Sequence, residues 1–409
     1  MGVRVQIAFN LSLTTPVNFF TLDDATRGVL DNTTYVLGGD TLVDVTSDVQ
    51  EFQIRRGRSR QLEKFTAGNA NFTLLNYGAS ARKYDPTNTA SPYYGSILPR
   101  KQVVIDIDGT PLFTGSISDW NFTYNVDGQS LAEPSCVDAL AIVSTQTLTG
   151  GTAIAEKTGA RVGKILDEIG WSAALRTIST GEALLDANIV APGTNALNYL
   201  SQVADVSEPG AIFVGKAGDF VFKSRSDLQS FTSSVTFGTG GIPMTGMDVV
   251  YGTQELWNEV SVTYTSGATT AGTATATDAT SVAAYGAFSK TYETLLSSAV
   301  DASNMAAWQA AVYSQPQYRI NSLTVAYTAL SAVQKAQVLG LELGSVVLVT
   351  WTPNGTGSAI SQYVTIDGIE HRANPSFHEI TFTLSETTAA FILDSATFGV
   401  LDSTTPLGF

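Results

Sequence analysis

Asp108-Gly109 sits between two runs of alternating apolar residues, and this pattern restricts the fold more than any other in the chain. Before it, Val103, Ile105 and Ile107 fall on one face of an extended segment. After it, Leu112, Gly115 and Ile117, then Trp120, Phe122 and Tyr124, form the returning strand. An Asp-Gly pair tolerates the positive φ angles of a two-residue hairpin turn, whose twist matches the flanking strands. A second such turn, Asp127-Gly128, follows. Strands of this length and spacing predict an antiparallel barrel or sandwich over about residues 45–145.

The segment leading into this hairpin is less ordinary. Val49, Phe52 and Ile54 begin as a strand, which breaks into Arg55-Arg56-Gly57-Arg58-Ser59-Arg60. Ala67-Gly68-Asn69 signals a turn, and Ala70, Phe72 and Leu74 then alternate as a second strand. A loop with Asp85-Pro86, Ser91-Pro92-Tyr93-Tyr94-Gly95 and Pro99-Arg100-Lys101 returns to the hairpin. Four arginines in six positions invite a phosphate-binding reading. The formal net charge of −15 and the lack of interleaved aromatics oppose it. A solvated loop, or arginines at a subunit interface, is the reading the sequence favours. Arg55, Arg56, Arg58, Arg60, Tyr93 and Tyr94 are therefore the candidate interface residues.

Taken together, the arginine run, the AGNANFTLLN strand, the SPYYG loop and the PRKQVVI strand resemble the minor tail proteins of long-tailed bacteriophages. Within that group they resemble the tail-hub, or baseplate-hub, protein. The resemblance continues through GARVGKILDEIGW, ALNYLSQVADVSEPG and IFVGKAGDFVF. It implies a mainly β chain with a small α/β insertion and two antiparallel β-barrel or sandwich tube domains. The expected division is an N-terminal strand and arm (1–46), a first tube domain (47–145), an α/β domain (146–243), a second tube domain (244–386) and a C-terminal arm (387–409). The resemblance also implies a homotrimer with pseudo-sixfold symmetry at the virion tail tip. Its expected partners are the tail tube or distal tail protein, the tape measure protein, and tail fibre or other minor tail proteins. No cofactor is implied.

The remaining elements can be read from the residues. Val162, Ile165, Leu166 and Ile169 follow helical spacing and stop at Gly170. A second helix carries Leu197, Leu200, Val203 and Ala204, with Thr194 as its expected cap and Glu208-Pro209-Gly210 as its end. Ile212–Val214 and Phe220–Phe222 flank a hairpin turn. Leu256–Tyr264 reads as a strand, and the Gly-, Ala-, Thr- and Ser-rich Thr265–Thr280 as a mobile loop. Asp301 is the expected cap of a helix bearing Met305, Trp308 and Val312. Strands over 345–351, 362–370 and 378–384 close a second antiparallel unit.

Composition narrows function. Charged residues are only 14% of the chain, against a usual quarter. Uncharged polar side chains cost less to desolvate at an interface. The acidic balance argues against tight or sequence-specific nucleic-acid binding, although a negative wall would let DNA pass without adhering. One cysteine, Cys136, excludes an intrachain disulfide and reads as a small buried hydrophobe. No signal peptide and no membrane-spanning stretch is expected. No P-loop, dinucleotide fingerprint or nucleophile elbow is present. The two histidines, His371 and His378, could face each other across a hairpin, but alternation puts Glu370 and Glu379 on the other face. Surface hairpin positions are therefore expected for them, without a metal and without catalysis.

The two ends of the chain nearly repeat each other. Leu22–Thr34 and Leu393–Thr405 agree at ten of thirteen positions, sharing Leu22, Asp23, Gly28, Leu30 and Asp31 with Leu393, Asp394, Gly399, Leu401 and Asp402. They read as compact Asp-stabilised turns or as two equivalent docking segments. The alternative to a structural tail protein is a host-surface module whose exposed Tyr93-Tyr94 stacks on cell-wall glycan.

Overall fold

The computed structural model describes residues 2–9, 41–60, 63–78, 81–229, 233, 235–267 and 269–387. The terminal repeats, with Leu22, Asp23, Gly28, Leu30, Asp31, Leu393, Asp394, Gly399, Leu401 and Asp402, lie outside the described residues.

The first half contributes β1 (Val3–Phe9), β2 (Thr41–Asp44), β3 (Val49–Gly57), β4 (Thr66–Leu75), β5 (Gln102–Ile107), β6 (Thr110–Tyr124) and β7 (Ser130–Val137). The Asp108-Gly109 turn joins β5 to β6, with φ angles of 49° and 84° at its two residues. The middle of the chain adds helix α1 (Thr158–Glu168), strand β8 (Arg176–Ile178), helix α2 (Ala196–Ser201), β9 (Ala211–Val214) and β10 (Phe220–Lys223). Then come β11 (Thr236–Gly238), β12 (Gly246–Gly252), β13 (Glu259–Ser266), β14 (Thr269–Thr277), β15 (Ser289–Tyr292), α3 (Ala299–Tyr313), β16 (Gln317–Ala326), β17 (Val346–Trp351), β18 (Ile360–Ala373) and β19 (His378–Glu386).

One sheet runs through both halves of the chain, in the order β12-β16-β19-β18-β3-β4-β7-β6-β5-β1-β2. The joint is β18. Its first six residues pair with β17, and Gly368–Ala373 pair with β3. A bulge at Asp367 separates the two pairings. Backbone pairing thus links the two regions for which the strand spacing predicts antiparallel units. Because β18 is long enough to serve two partners on one edge, hydrogen bonding passes from one half to the other. Among the described residues, this strand order ends at β12 and β2.

Its buried face makes one continuous core, including Ile54, Ala70, Cys136, Val325, Ile369 and Phe382. A second core gathers Val162, Leu166, Leu200 and Phe220 with Val260, Leu296 and Met305. Residues of β13, β14, β15 and α3 thus pack on the α/β region. The expected loop over Thr265–Thr280 is largely strand β14. Its Thr-Ala alternation turns the half-buried Ala274 and Ala276 to the second core, where small side chains admit α3. Two caps also differ from expectation. Asn195, not Thr194, caps α2, and Ser298, not Asp301, caps α3 through the Val300 and Asp301 amides. In each case the capping oxygen sits where it reaches the second or third helical amide.

Candidate assembly surfaces and the arginine seam

The arginine run is where three parts of the molecule meet. Alternation along β3 puts Phe52, Ile54 and Arg56 inward and Gln53 and Arg55 outward. Arg56 is buried and forms a 2.5 Å ion pair with Glu342, while donating to the Val214 carbonyl at 3.2 Å. Glu342 also accepts from the amides of Leu343 (2.8 Å) and Lys216 (3.0 Å). Burial opposes its ionisation, but Arg56 and those amides outweigh it and hold the carboxyl below its ordinary range. First half, second half and α/β hairpin are thereby tied at one point.

Gly57 follows with φ of 98°, and a Cβ there would lie 2.1 Å from the Asp367 carbonyl oxygen. Only glycine fits that backbone approach. The Arg58 amide donates to the same carbonyl at 2.9 Å, and its guanidinium pairs with the Asp367 carboxylate at 2.9 Å, lying 4.7 Å from the Phe65 ring centroid. Arg55 and Arg60 are exposed. Arg55 donates to the Ser59 hydroxyl, and Arg60 borders a small pocket with Glu255 and Arg319. The run therefore divides into two arginines spent within the chain and two at its surface. Strand alternation from Phe52 and Ile54 was the signal that Arg56 points inward.

The histidines correct the sequence expectation. His371 and His378 are buried, not surface, residues, with Nδ1 of His371 3.0 Å from Nε2 of His378. They sit in β18 and β19 beside the seam, and His378 meets Phe52 edge-on with centroids 5.8 Å apart. Burial pushes both below the usual imidazole value, His378 to about 4 and His371 well below. For His371, its partner ring and then the Arg56 and Lys216 charges add to the effect. The pair is a neutral hydrogen bond inside the core. Among the described residues no group of three His, Cys, Asp or Glu side chains is placed to hold a metal.

The outward face of the sheet is polar in continuous rungs. One rung reads Glu379, Arg372, Gln53, Asn71, Ser135 and Asp119 across β19, β18, β3, β4, β7 and β6. Its neighbour includes Thr324, Thr381, Glu370, Arg55 and Asn69. Between them, the inward rung Val325, Ile380, His371, Ile54, Ala70, Cys136 and Ile117 is almost wholly apolar. On the outward face, carboxylates of Glu51, Asp119, Glu133, Glu370 and Glu379 outnumber the guanidiniums of Arg55 and Arg372.

The tyrosine pair is split. Tyr93 is buried, stacked on Phe9 at 4.1 Å and on Tyr84 at 5.6 Å, whereas Tyr94 is exposed. A row that the sequence showed only as strand alternation lies on β6. Trp120, Phe122 and Tyr124 stack at centroid spacings of 6.1 and 6.3 Å, with Tyr124 outermost and bonded to Asp85 at 3.0 Å.

A cleft of about 670 Å³ opens between the two cores, with Phe65, Tyr292, Trp308 and Tyr313 among its walls. Asp205 reaches it from a π-turn (Gln202–Val206) that continues α2. Both Asp205 carboxylate oxygens are buried. Desolvation pushes this group up to about 7, against the pull of Ser201, Arg58 and Lys64. Among the described residues no helix is long and apolar enough to cross a membrane.

Solved structures share this architecture. The 43 kDa tail protein of prophage MuSo2 from Shewanella oneidensis aligns over 85% of this chain and 97% of its own, with a TM-score of 0.59 and 14% identity. The tail protein from Neisseria meningitidis MC58 aligns over 94% and 97%, with a TM-score of 0.61 and 12% identity. The chain thus has the mainly β fold of phage-type tail proteins. No protein-family model and no curated protein matches the sequence.

Proposed function

We propose that the protein is a structural virion component, the hub at the distal tip of a phage tail. In this reading it joins the tail tube or distal tail protein to tip or fibre proteins, borders the tape measure protein, and lines the path by which DNA leaves. The observation that carries it is the polar outward face, unbroken across the seam from β19 to β6. A face of amides, hydroxyls and excess carboxylates suits a wet passage that repels phosphate. The halves at 47–145 and 244–386 would be the two tube domains, the region 146–243 the α/β domain, and three chains would close a pseudo-sixfold ring. Arg55, Arg60 and Tyr94 are exposed and available to such contacts; Arg56, Arg58 and Tyr93 would support them from within. The role is one of interface geometry, not catalysis.

Host-glycan binding through Tyr93-Tyr94 loses its basis, because a buried Tyr93 leaves a single ring rather than a platform. The test is the mass of the purified chain by light scattering over a concentration series, with and without tail-tube protein. A trimer in either condition supports the hub. A hexamer favours a distal-tail ring, and a monomer in both conditions refutes the ring.

A further inference from the structure

We propose that a groove on the outward sheet face receives a lysine or arginine side chain from a basic segment of a neighbouring tail protein. The groove has a volume of about 290 Å³ and runs across β18, β3, β4, β7 and β6. Glu51 on β3 stands opposite Thr73 on β4, and Glu133 on β7 stands opposite Asn121 on β6. The Asn71–Ser135 and Leu74–Ala132 pairings place Thr73 opposite Glu133 as well. One rung therefore reads Glu51, Thr73, Glu133 and Asn121, with a carboxylate on either side of a hydroxyl. Neighbouring strands are spaced about 4.8 Å apart, so the two glutamate backbones lie roughly 10 Å apart. Leaning over Thr73 from both sides, the two carboxylates can meet one cation between them.

Charge identifies the occupant. Glu51 is exposed and Glu133 half-buried, and among the described residues neither carboxylate has an ion-pair partner. Among the described residues the lining carries these two carboxylates and one guanidinium, Arg372, a net charge of −1. A single basic side chain neutralises it. The exposed Phe377, on the turn between β18 and β19, borders the same groove. It offers apolar surface to the methylene stem of a lysine or arginine, whose charged head keeps to polar surroundings. Oxygens of Thr73, Asn71 and Asn121 add acceptors for the remaining N–H donors. A divalent metal fits less well, because it needs several oxygens within about 2.6 Å of one point. The identity of the neighbour rests on the outward face lining a passage; the preference of the groove for a basic side chain does not.

The test is a chemical-shift titration of the isotope-labelled full chain with the blocked tripeptide acetyl-Ala-Arg-Ala-amide. The same peptide with citrulline in place of arginine keeps the shape and lacks the charge. Saturable shifts are expected at the amides of Glu51, Thr73 and Glu133, with the citrulline peptide binding at least about fivefold more weakly. Glu51→Gln/Glu133→Gln is expected to weaken arginine-peptide binding by a similar factor. Glu379→Gln, on the same face but outside the groove, is expected to leave it unchanged. No saturable shift, equal binding of the citrulline peptide, or an unaffected double variant overturns the proposal. Displacement of the peptide by magnesium chloride at constant ionic strength also overturns it and makes the groove a metal site. A chain that binds the peptide but forms no ring refutes the hub and leaves the groove standing; a ring that binds no peptide does the reverse.

Discussion

The buried histidine pair makes stability depend on pH in a direction that can be worked out. An imidazole with an ordinary value near 6.5 in the unfolded chain falls to about 4 at His378 in the fold. Below pH 6.5 the unfolded state binds a proton that the folded state refuses, so stability falls with pH until about 4 and then levels. From pH 7 to 4.5 the loss for His378 alone is about 2–3 kcal/mol. His371 adds to it with the same sign, since burial, its partner ring, Arg56 and Lys216 all depress it. Asp205 and Asp138 oppose the trend. Desolvation raises them to about 7 and about 6, so acid relieves the fold of buried charge in the same window.

The raw pH profile therefore mixes both signs, and the informative quantity is a difference. Wild type and a His371→Leu/His378→Phe variant share every other titrating group. Urea unfolding of both, followed by tryptophan fluorescence, should show the variant gaining at least about 2 kcal/mol on wild type between pH 7 and 4.5. A gap that stays constant within about 0.5 kcal/mol over that range would refute the buried neutral pair.

Arg56→Ala strands a half-buried Glu342 and is expected to cost about 2–3 kcal/mol in chemical denaturation, whereas Arg55→Ala should change stability by less than about 0.5 kcal/mol. Equal, small effects at both positions would mean that Arg56 is solvated. Gly57→Ala forces a side chain against the Asp367 carbonyl at a positive φ and is expected to cost more than about 4 kcal/mol, read as a large fall in melting temperature or in soluble yield. Asp205→Asn removes a carboxylate that must ionise in a desolvated site. Its melting temperature is expected to rise relative to wild type from pH 5 to pH 8, and an offset independent of pH would contradict the assignment.

Much of the sheet was legible because two-residue turns and period-two alternation are local signals. Val103, Ile105 and Ile107 are inward, and the Asp108-Gly109 turn is where the sequence places it. Alternation continues through Arg56, where the arginine run reads from the sequence as a break in the strand. Geometry decides there because Glu342, 286 residues away, supplies the compensating charge. No local reading can anticipate a partner at that separation. The same holds for His371 and His378, whose surface reading rested on polarity alone; each ring is the other's hydrogen-bond partner. At Thr265–Thr280 small-residue richness suggested a loop, but small residues on one face of a strand are also what a tightly packed helix requires.

These long-range partners explain why strands from both ends of the chain share one sheet in one register. Hydrogen bonds along β18 would join them in any case, yet backbone pairing alone sets register only weakly when a sheet face is polar. A one-residue slip of β3 against β18 would carry Arg56 to solvent, bring Arg55 inward, and separate Gly57 from the Asp367 bulge. Each displacement leaves a buried charge or a steric clash, so the seam tolerates a single register. That register is also what aligns Gln53 with Arg372 and Arg55 with Glu370 on the outward face. The buried charges under the seam thus fix the order of polar groups above it, and the surface proposed to line a passage inherits its geometry from the ion pairs beneath.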